Sequence, residues 1–293
     1  MLTHRLAFTV LMGACGITLG NATVDDLRKT LARMGAQLVM VGDSTMGMQR
    51  TFLQRHGMNS SQMTMFPNAG GVCPSCDFPS LPEKSACAFV NKTLEKRKFS
   101  RVIVYINLGA LHLLHLHPYR KFAYSPGHGS WKADFWGLLF LETWMKSEID
   151  CLSALAALVI VMLPHHICES CYHGKYKTAV EDPENTITGC ARQIANDTAI
   201  TLPGANGICR ASMFTGSGTD DLARRMSNVV HSHFSCAHAT SKRTPVCILD
   251  ANHLTQEMTH SCEYTTDGRH YNESVIGMEV EALGSIITKL HPE

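Results

Sequence analysis

The sequence predicts an α/β protein with a doubly wound, mostly parallel, five-stranded sheet, flanked by helices and carrying long disulfide-pinned loops. Three observations carry this expectation. Short, continuously apolar segments recur along the chain, as strands covered on both faces require. Segments with helical spacing alternate with them, the order that parallel crossovers demand. The apolar segments end in polar or turn-forming residues, Gly42-Asp43-Ser44, Asn107, His165-His166 and Asp250, where open sheets of this kind present groups to a ligand.

Taken in order, Val24 to Met34 has helical spacing, with Asp25 and Asp26 in the first turn, where negative charge suits the helix dipole. Leu38 to Val41 is the first strand, and Met46 to His56 comes next as a helix closed by Gly57. Gln62 to Phe66 reads as a short second strand. The loop after it, Pro67 to Cys76, contains Gly70 and Gly71, which serve either close backbone approach to a ligand or a disulfide-pinned turn with positive φ. Arg101 to Asn107 is the clearest strand, β-branched and continuously apolar, and Asn107 at its end is either a ligand-contacting group or a cap for the next helix.

After a loop over Pro118 to Lys132, Asp134 to Leu158 is expected as a long helix whose Trp136, Leu139, Phe140, Trp144 and Ile149 pack on the sheet. Val159 to Leu163 is the fourth strand. His173 to Thr219 turns polar and reads as a long excursion pinned by Cys190 and Cys209. Thr219, as N-cap, opens a helix to Phe234; Pro245 to Leu249 is the fifth strand, and Asn272 to Leu290 is a final amphipathic helix.

Composition narrows the function. A chain of 293 residues that is 45% apolar can bury a substantial core, and a net charge of +1 offers no face for nucleic acid. The basic cluster from Lys92 to Arg101 is mixed with Glu95 and reads as a solvated helix face. Arg5 followed by the apolar run Leu6 to Leu19 has the layout of a signal peptide over residues 1–20, or of a short signal anchor. Residues 21–293 then form one catalytic domain with no stable membrane span, because the next apolar run, Leu152 to Leu163, is too short and ends in Pro164.

Two further features agree with a secreted or luminal protein of the secretory pathway, Golgi or extracellular. Acceptor sequons for N-glycosylation stand at Asn21, Asn59, Asn91, Asn196 and Asn272. Of 12 cysteines, removal of Cys15 with the leader leaves 11, so an oxidising compartment pairs most and leaves one over.

Chemistry concentrates at two places. Ser44 lies at a strand-to-helix turn, which exposes its Oγ at the carboxyl edge of the sheet and directs the first helical N–H groups toward whatever binds there. Asp43 reads as the structural partner of that turn. Near the C-terminus, Asp267 and His270 stand three positions apart on a turn that Gly268 lets close. That spacing can set a carboxylate beside Nδ1 and leave Nε2 to accept a proton from a serine.

Together, Val41-Gly-Asp-Ser44, Asn107-Leu-Gly109-Ala-Leu-His112 and Asp267-Gly-Arg-His270-Tyr-Asn resemble the SGNH/GDSL hydrolase superfamily. The closer resemblance is to its PC-esterase branch, which includes trichome-birefringence-like polysaccharide O-acetyltransferases and the luminal domains of sialic-acid O-acetyltransferases. The resemblance implies an SGNH-like, flavodoxin-like fold, with Ser44 as nucleophile, Asp267 as orienting acid and His270 as base. It also implies an oxyanion hole from the Ser44 N–H, the Asn107 side chain and Gly70 or Gly71, with Gly109, His112 and Asp43 near the substrate. The expected partner is an O-acylated glycan or other small ester, and no metal or cofactor is called for.

The chain departs from the plant enzymes, which carry Asp-Cys-x-His-Trp and Asn-Thr-Gly-His-Trp at the corresponding runs, so their acceptors are not implied. Two rivals belong to other classes: a catalytically silent glycan-binding module of the same fold, and a metal or redox protein using His165, His166, Cys168, Cys171 and His173.

Overall fold

The structure is a computed structural model that describes residues 16–66, 86–96, 101–107, 141–172, 183–197, 199–211, 215–237, 244–259 and 261–290. Five strands, β1 (Ala36–Val41), β2 (Met63–Phe66), β3 (Arg101–Ile106), β4 (Leu158–Met162) and β5 (Val246–Leu249), pair in the order β2-β1-β3-β4-β5. All neighbouring pairs are parallel. Chain order therefore reverses between β1 and β3, and the crevice at the carboxyl ends of these two strands is the topological switch point where such sheets bind ligands.

Side chains alternate across the sheet, and each face has its own core. Val39, Val41, Val104, Ile106, Val159 and Val161 face one way. They pack against α3 (Ala86–Lys96), α4 (Leu141–Leu155), α5 (Pro183–Asp197), α6 (Leu202–Ala211) and α7 (Gly216–His233). Leu38, Met40, Ile103, Tyr105, Ile160 and Met162 face the other way, onto α1 (Gly16–Met34), α2 (Ser44–Arg55) and α9 (Glu273–Leu290). Continuous apolar strands are what two covered faces require. A short helix, α8 (Ala251–Gln256), comes after β5, and Asp250 caps it by accepting the His253 N–H at 2.9 Å.

Several boundaries differ from the sequence reading, each for a physical reason. Among the described residues α1 extends ahead of Val24 as far as Gly16, so Asn21 is helical. α4 ends at Leu155, because the Ala157 N–H donates to the Val102 carbonyl at 2.8 Å and draws the chain into the sheet, making Leu158 a strand residue. The polar excursion after His173 contains α5 and α6, joined by the Cys190–Cys209 disulfide. In α5, Ile187, Cys190, Ala191 and Ile194 form a buried stripe at helical spacing inside a polar composition. α7 starts at Gly216 with Thr215 as its cap; Thr219 is wholly buried and its hydroxyl donates back to the Thr215 carbonyl at 3.1 Å.

Further disulfides join Cys87 to Cys151, between α3 and α4, and Cys236 to Cys247, between the end of α7 and β5. Of the sequon asparagines, Asn59, Asn91 and Asn196 are exposed. Asn272 is engaged: its Oδ1 accepts the Ser274 N–H at 3.1 Å at the start of α9, and its Nδ2 donates to the Glu263 carbonyl at 2.9 Å. No helix among the described residues is long and apolar enough to cross a membrane.

Candidate active site

β1 runs out at Val41, and the chain turns through Gly42 and Asp43 into α2, whose first residue is Ser44. Asp43 is the N-cap: its Oδ1 accepts the Thr45 N–H at 3.0 Å and the Thr45 hydroxyl at 2.6 Å. This fixes the direction in which the helix leaves the sheet. From the end of β3, Asn107 closes the turn from the side. Its Oδ1 accepts the Asp43 N–H at 3.3 Å, while Nδ2 donates to Asp43 Oδ1 at 2.8 Å and to Thr45 Oγ1 at 3.0 Å. Ser44 itself is exposed, and its N–H occupies the first helical turn, where a donor has no intrahelical acceptor.

Gly42 is needed for close approach. A Cβ there would lie 2.3 Å from Asn107 Oδ1 and 2.9 Å from the Met46 Cβ. Gly42→Ala is therefore expected to push Asn107 off the turn, lowering stability by about 1–3 kcal/mol and any Ser44-dependent turnover by about 100-fold. A thermal melt and steady-state kinetics check the two parts separately.

The second half of the site is a turn between Thr265 and Tyr271, which form an antiparallel bridge. Asp267 Oδ1 accepts the backbone N–H groups of Arg269 at 3.1 Å and His270 at 2.9 Å. Its Oδ2 lies 2.8 Å from His270 Nδ1, and His270 Nε2 lies 2.9 Å from Ser44 Oγ. Arg269 Nε is also 3.3 Å from His270 Nδ1, but a nitrogen that donates to Asp267 cannot accept from Arg269. The shorter carboxylate contact fixes the proton on Nδ1, leaving Nε2 as the acceptor facing Ser44.

Asp267 is tuned to stay charged. Partial burial pushes its pKa up, but the hydrogen bonds from the His270 ring and backbone, the His270 charge and the Arg269 N–H outweigh that and hold it at about 2. Because this lies below the ordinary value of 3.8, Asp267 favours the folded state above that value. The contribution is lost only as the pH falls from about 3.8 toward 2. Above that window Asp267 is thus expected to stay ionised and to keep the His270 turn seated, so that any change of Ser44-dependent turnover with pH there occurs with the turn intact. A pH profile of kcat/KM beside circular dichroism over the same range measures this.

Gly268 has φ +90°, and a Cβ on it would lie 2.3 Å from Tyr172 Cδ1 and 2.7 Å from the Cys168 carbonyl. The Cys168 N–H donates to the Gly268 carbonyl at 2.8 Å, so the His270 turn is seated on the segment after β4. Gly268→Ala is expected to cost about 1–3 kcal/mol and to unseat the turn, an effect visible as a lowered Tm with a disproportionate loss of turnover.

Beneath both halves runs a buried polar network that sequence reading did not find. Glu279 of α9 is wholly buried and takes Gln49 Nε2 of α2 at 2.5 Å on one oxygen and His165 Nε2 on the other. Gln49 Nε2 also lies 3.4 Å from Met162 Sδ, to which the Tyr105 hydroxyl donates at 3.2 Å. Burial, with Glu279 nearby, raises the Tyr105 pKa well above its ordinary value and keeps the phenol a donor. The Tyr271 hydroxyl, likewise raised by burial, donates to the His166 carbonyl at 2.5 Å. The network thus ties the helix bearing Ser44 to the helix beyond His270. The clue was present in the sequence, since Glu279 interrupts the apolar stripe Val275, Ile276, Val280 and Leu283.

Comparison with family models, with curated proteins and with solved structures finds no match to the chain.

Of the residues singled out from sequence, Ser44, Asp267 and His270 are brought into one hydrogen-bonded chain, with Asp43 holding the turn beneath Ser44. Asn107 sits at the same crevice but differs from the expectation of a free oxyanion donor, because both its amide hydrogens are spent on Asp43 and Thr45 and it braces the turn instead. Gly70, Gly71, Gly109, His112 and His173 lie outside the described residues. His165 and His166 are each engaged with a carboxylate: His165 pairs with Glu279, and His166 Nδ1 lies 2.6 Å from Asp220 Oδ1. Among the described residues, Cys168, Cys171 and Cys262 form a separate sulfur cluster.

Proposed function

We propose that the protein is a secretory-pathway serine acyl-esterase or O-acyltransferase of SGNH/PC-esterase type, acting on O-acetyl or other O-acyl groups of a glycan. The observation that carries the reading is the relay of Asp267, His270 and Ser44, with contacts of 2.8 and 2.9 Å, at the switch point of the sheet.

In this mechanism Ser44 Oγ attacks the ester carbonyl carbon as His270 Nε2 takes its proton. Asp267 holds the imidazole in the required tautomer and stabilises the imidazolium that forms. The oxyanion rests on the Ser44 N–H at the positive end of α2, and the sequence resemblance adds Gly70 or Gly71 as a further donor. The imidazolium then protonates the leaving sugar oxygen, and the acyl group stays on Ser44. In the second half His270 removes a proton from water, giving hydrolysis, or from a sugar hydroxyl, giving transfer.

The glycan substrate is supported by the sequence resemblance. The secretory setting is supported by the disulfides and by three exposed sequon asparagines. A silent glycan-binding module is disfavoured because binding alone gives no reason for an exposed serine aligned on a carboxylate-oriented histidine.

The test is acetate release from an acetylated oligosaccharide by the whole chain, with and without an unacetylated oligosaccharide as acceptor. The reading predicts release to water or movement of the acetyl group to the acceptor. If neither occurs, and a generic acetyl ester is also untouched, the reading is wrong.

A further inference from the structure

The cluster of reactive side chains that the relay does not use is the sulfur trio. Cys168 and Cys171 lie on the segment after β4, and Cys262 opens a short 3-10 turn (Cys262–Tyr264) leading into the His270 loop. Their sulfurs all lie within 4.8 Å of one another. Cys171 is within disulfide reach of both Cys168 and Cys262, with Cα separations of 5.5 and 5.2 Å. Both separations fall inside the range of about 4.4–6.8 Å that a disulfide spans. A sulfur carries one disulfide bond, so these are alternative pairings, and each leaves the third cysteine as a thiol.

Local contacts fit both states. Cys168 Sγ is placed to donate to the Thr259 carbonyl at 3.5 Å, as a thiol does. The Ser170 hydroxyl lies 3.4 Å from Cys168 Sγ and 3.8 Å from Cys171 Sγ, where it can donate to a thiolate. Cys168 and Cys171 are buried and Cys262 is exposed.

We propose that Cys168, Cys171 and Cys262 form an internal thiol–disulfide exchange site whose pairing sets how firmly the His270 turn is held. The Cys168 thiolate attacks Cys171 Sγ, the Cys171–Cys262 bond breaks, and the Cys168–Cys171 bond forms. Cys262 leaves as a thiolate and takes up the proton that Cys168 gave up, so no oxidant or reductant is consumed. In one state a crosslink with a sequence separation of 91 ties the approach to the turn onto the segment after β4. In the other, a bond of separation 3 closes only a local loop. The turn is then held by hydrogen bonds such as Cys168 N–H to the Gly268 carbonyl, and the exposed Cys262 thiol becomes open to an external disulfide. The effect of this on acyl chemistry rests on the function proposed above; the exchange itself does not.

The full chain is quenched in acid, labelled with N-ethylmaleimide without reduction, digested and mapped by mass spectrometry. The proposal predicts Cys171 always in a disulfide, with about one label per trio divided between Cys168 and Cys262. Three labelled thiols, as in a metal–thiolate site, would overturn it, as would label confined to one position or a third cysteine bonded outside the trio. Cys168→Ser and Cys262→Ser then lock the two pairings, and amide exchange over residues 265–271 is expected to be about tenfold faster in Cys262→Ser. Equal rates would overturn the coupling to the turn. Neither readout uses turnover, so loss of the Ser44 assignment leaves this result distinguishable.

Discussion

Ser44→Ala is expected to lower acyl turnover by about 10⁵-fold, roughly 7 kcal/mol of transition-state stabilisation, while leaving the fold intact. The loss is large because the nucleophile and base act as one unit: without Oγ, the His270 Nε2 proton acceptor has nothing to activate. What remains is the background from substrate binding and the oxyanion donors. The fold is spared because Ser44 is exposed and its replacement strands no buried polar group. The helix start is held by Asp43 and Asn107 rather than by the serine hydroxyl. Steady-state kinetics beside a thermal melt separate the two effects, and a variant that lost turnover and Tm together would point to structure, not chemistry.

Asp267→Asn is the second large effect, expected at about 10⁴-fold in kcat. The substitution is nearly isosteric. An amide Oδ1 still accepts the Arg269 and His270 backbone N–H groups that shape the turn. The amide nitrogen then faces His270 Nδ1 as a donor where the carboxylate was an acceptor, so the imidazole proton moves to Nε2 and Ser44 loses its base. The imidazolium formed during attack also loses its counter-charge. Binding of the substrate is untouched by either change, so the expected signature is a fall in kcat with KM unchanged. A matching rise in KM would assign Asp267 to substrate binding instead.

The sheet was readable from sequence because its strands are short and continuously apolar, a pattern that two covered faces impose. Leu38 to Val41 and Arg101 to Ile106 are buried residue after residue, apart from the exposed Arg101 that starts β3. The helices beyond β4 were harder. The stripe of Ile187, Cys190, Ala191 and Ile194 is diluted by Asn, Thr and Gly, so composition suggested a loop although spacing carried the helix. Thr219 has the chemistry of a cap, but Thr215, one turn earlier, takes that place because its hydroxyl accepts the Gly218 N–H at 3.0 Å.

The relay itself was legible because each half is local. A serine after a glycine at the end of a strand, and an Asp and His three positions apart around Gly268, are spacings that a single turn can satisfy. The support beneath it was not legible, since Gln49 and Glu279 stand 230 positions apart and meet only when α2 and α9 pack on the same face. For Asn107 the strand end was readable, but its hydrogen-bond partners were not. Gly42 brings it close enough for its amide to be consumed by the turn rather than offered to the crevice.

The central claim, that Ser44 is a nucleophile activated by His270 and Asp267, is tested most directly by reaction with a fluorophosphonate and peptide mapping of the adduct. One phosphonyl group per chain is expected, on Ser44, and its formation is expected to be abolished in His270→Ala. An unreacted Ser44 in the intact folded chain, or an adduct on another residue that forms equally well in His270→Ala, would contradict it.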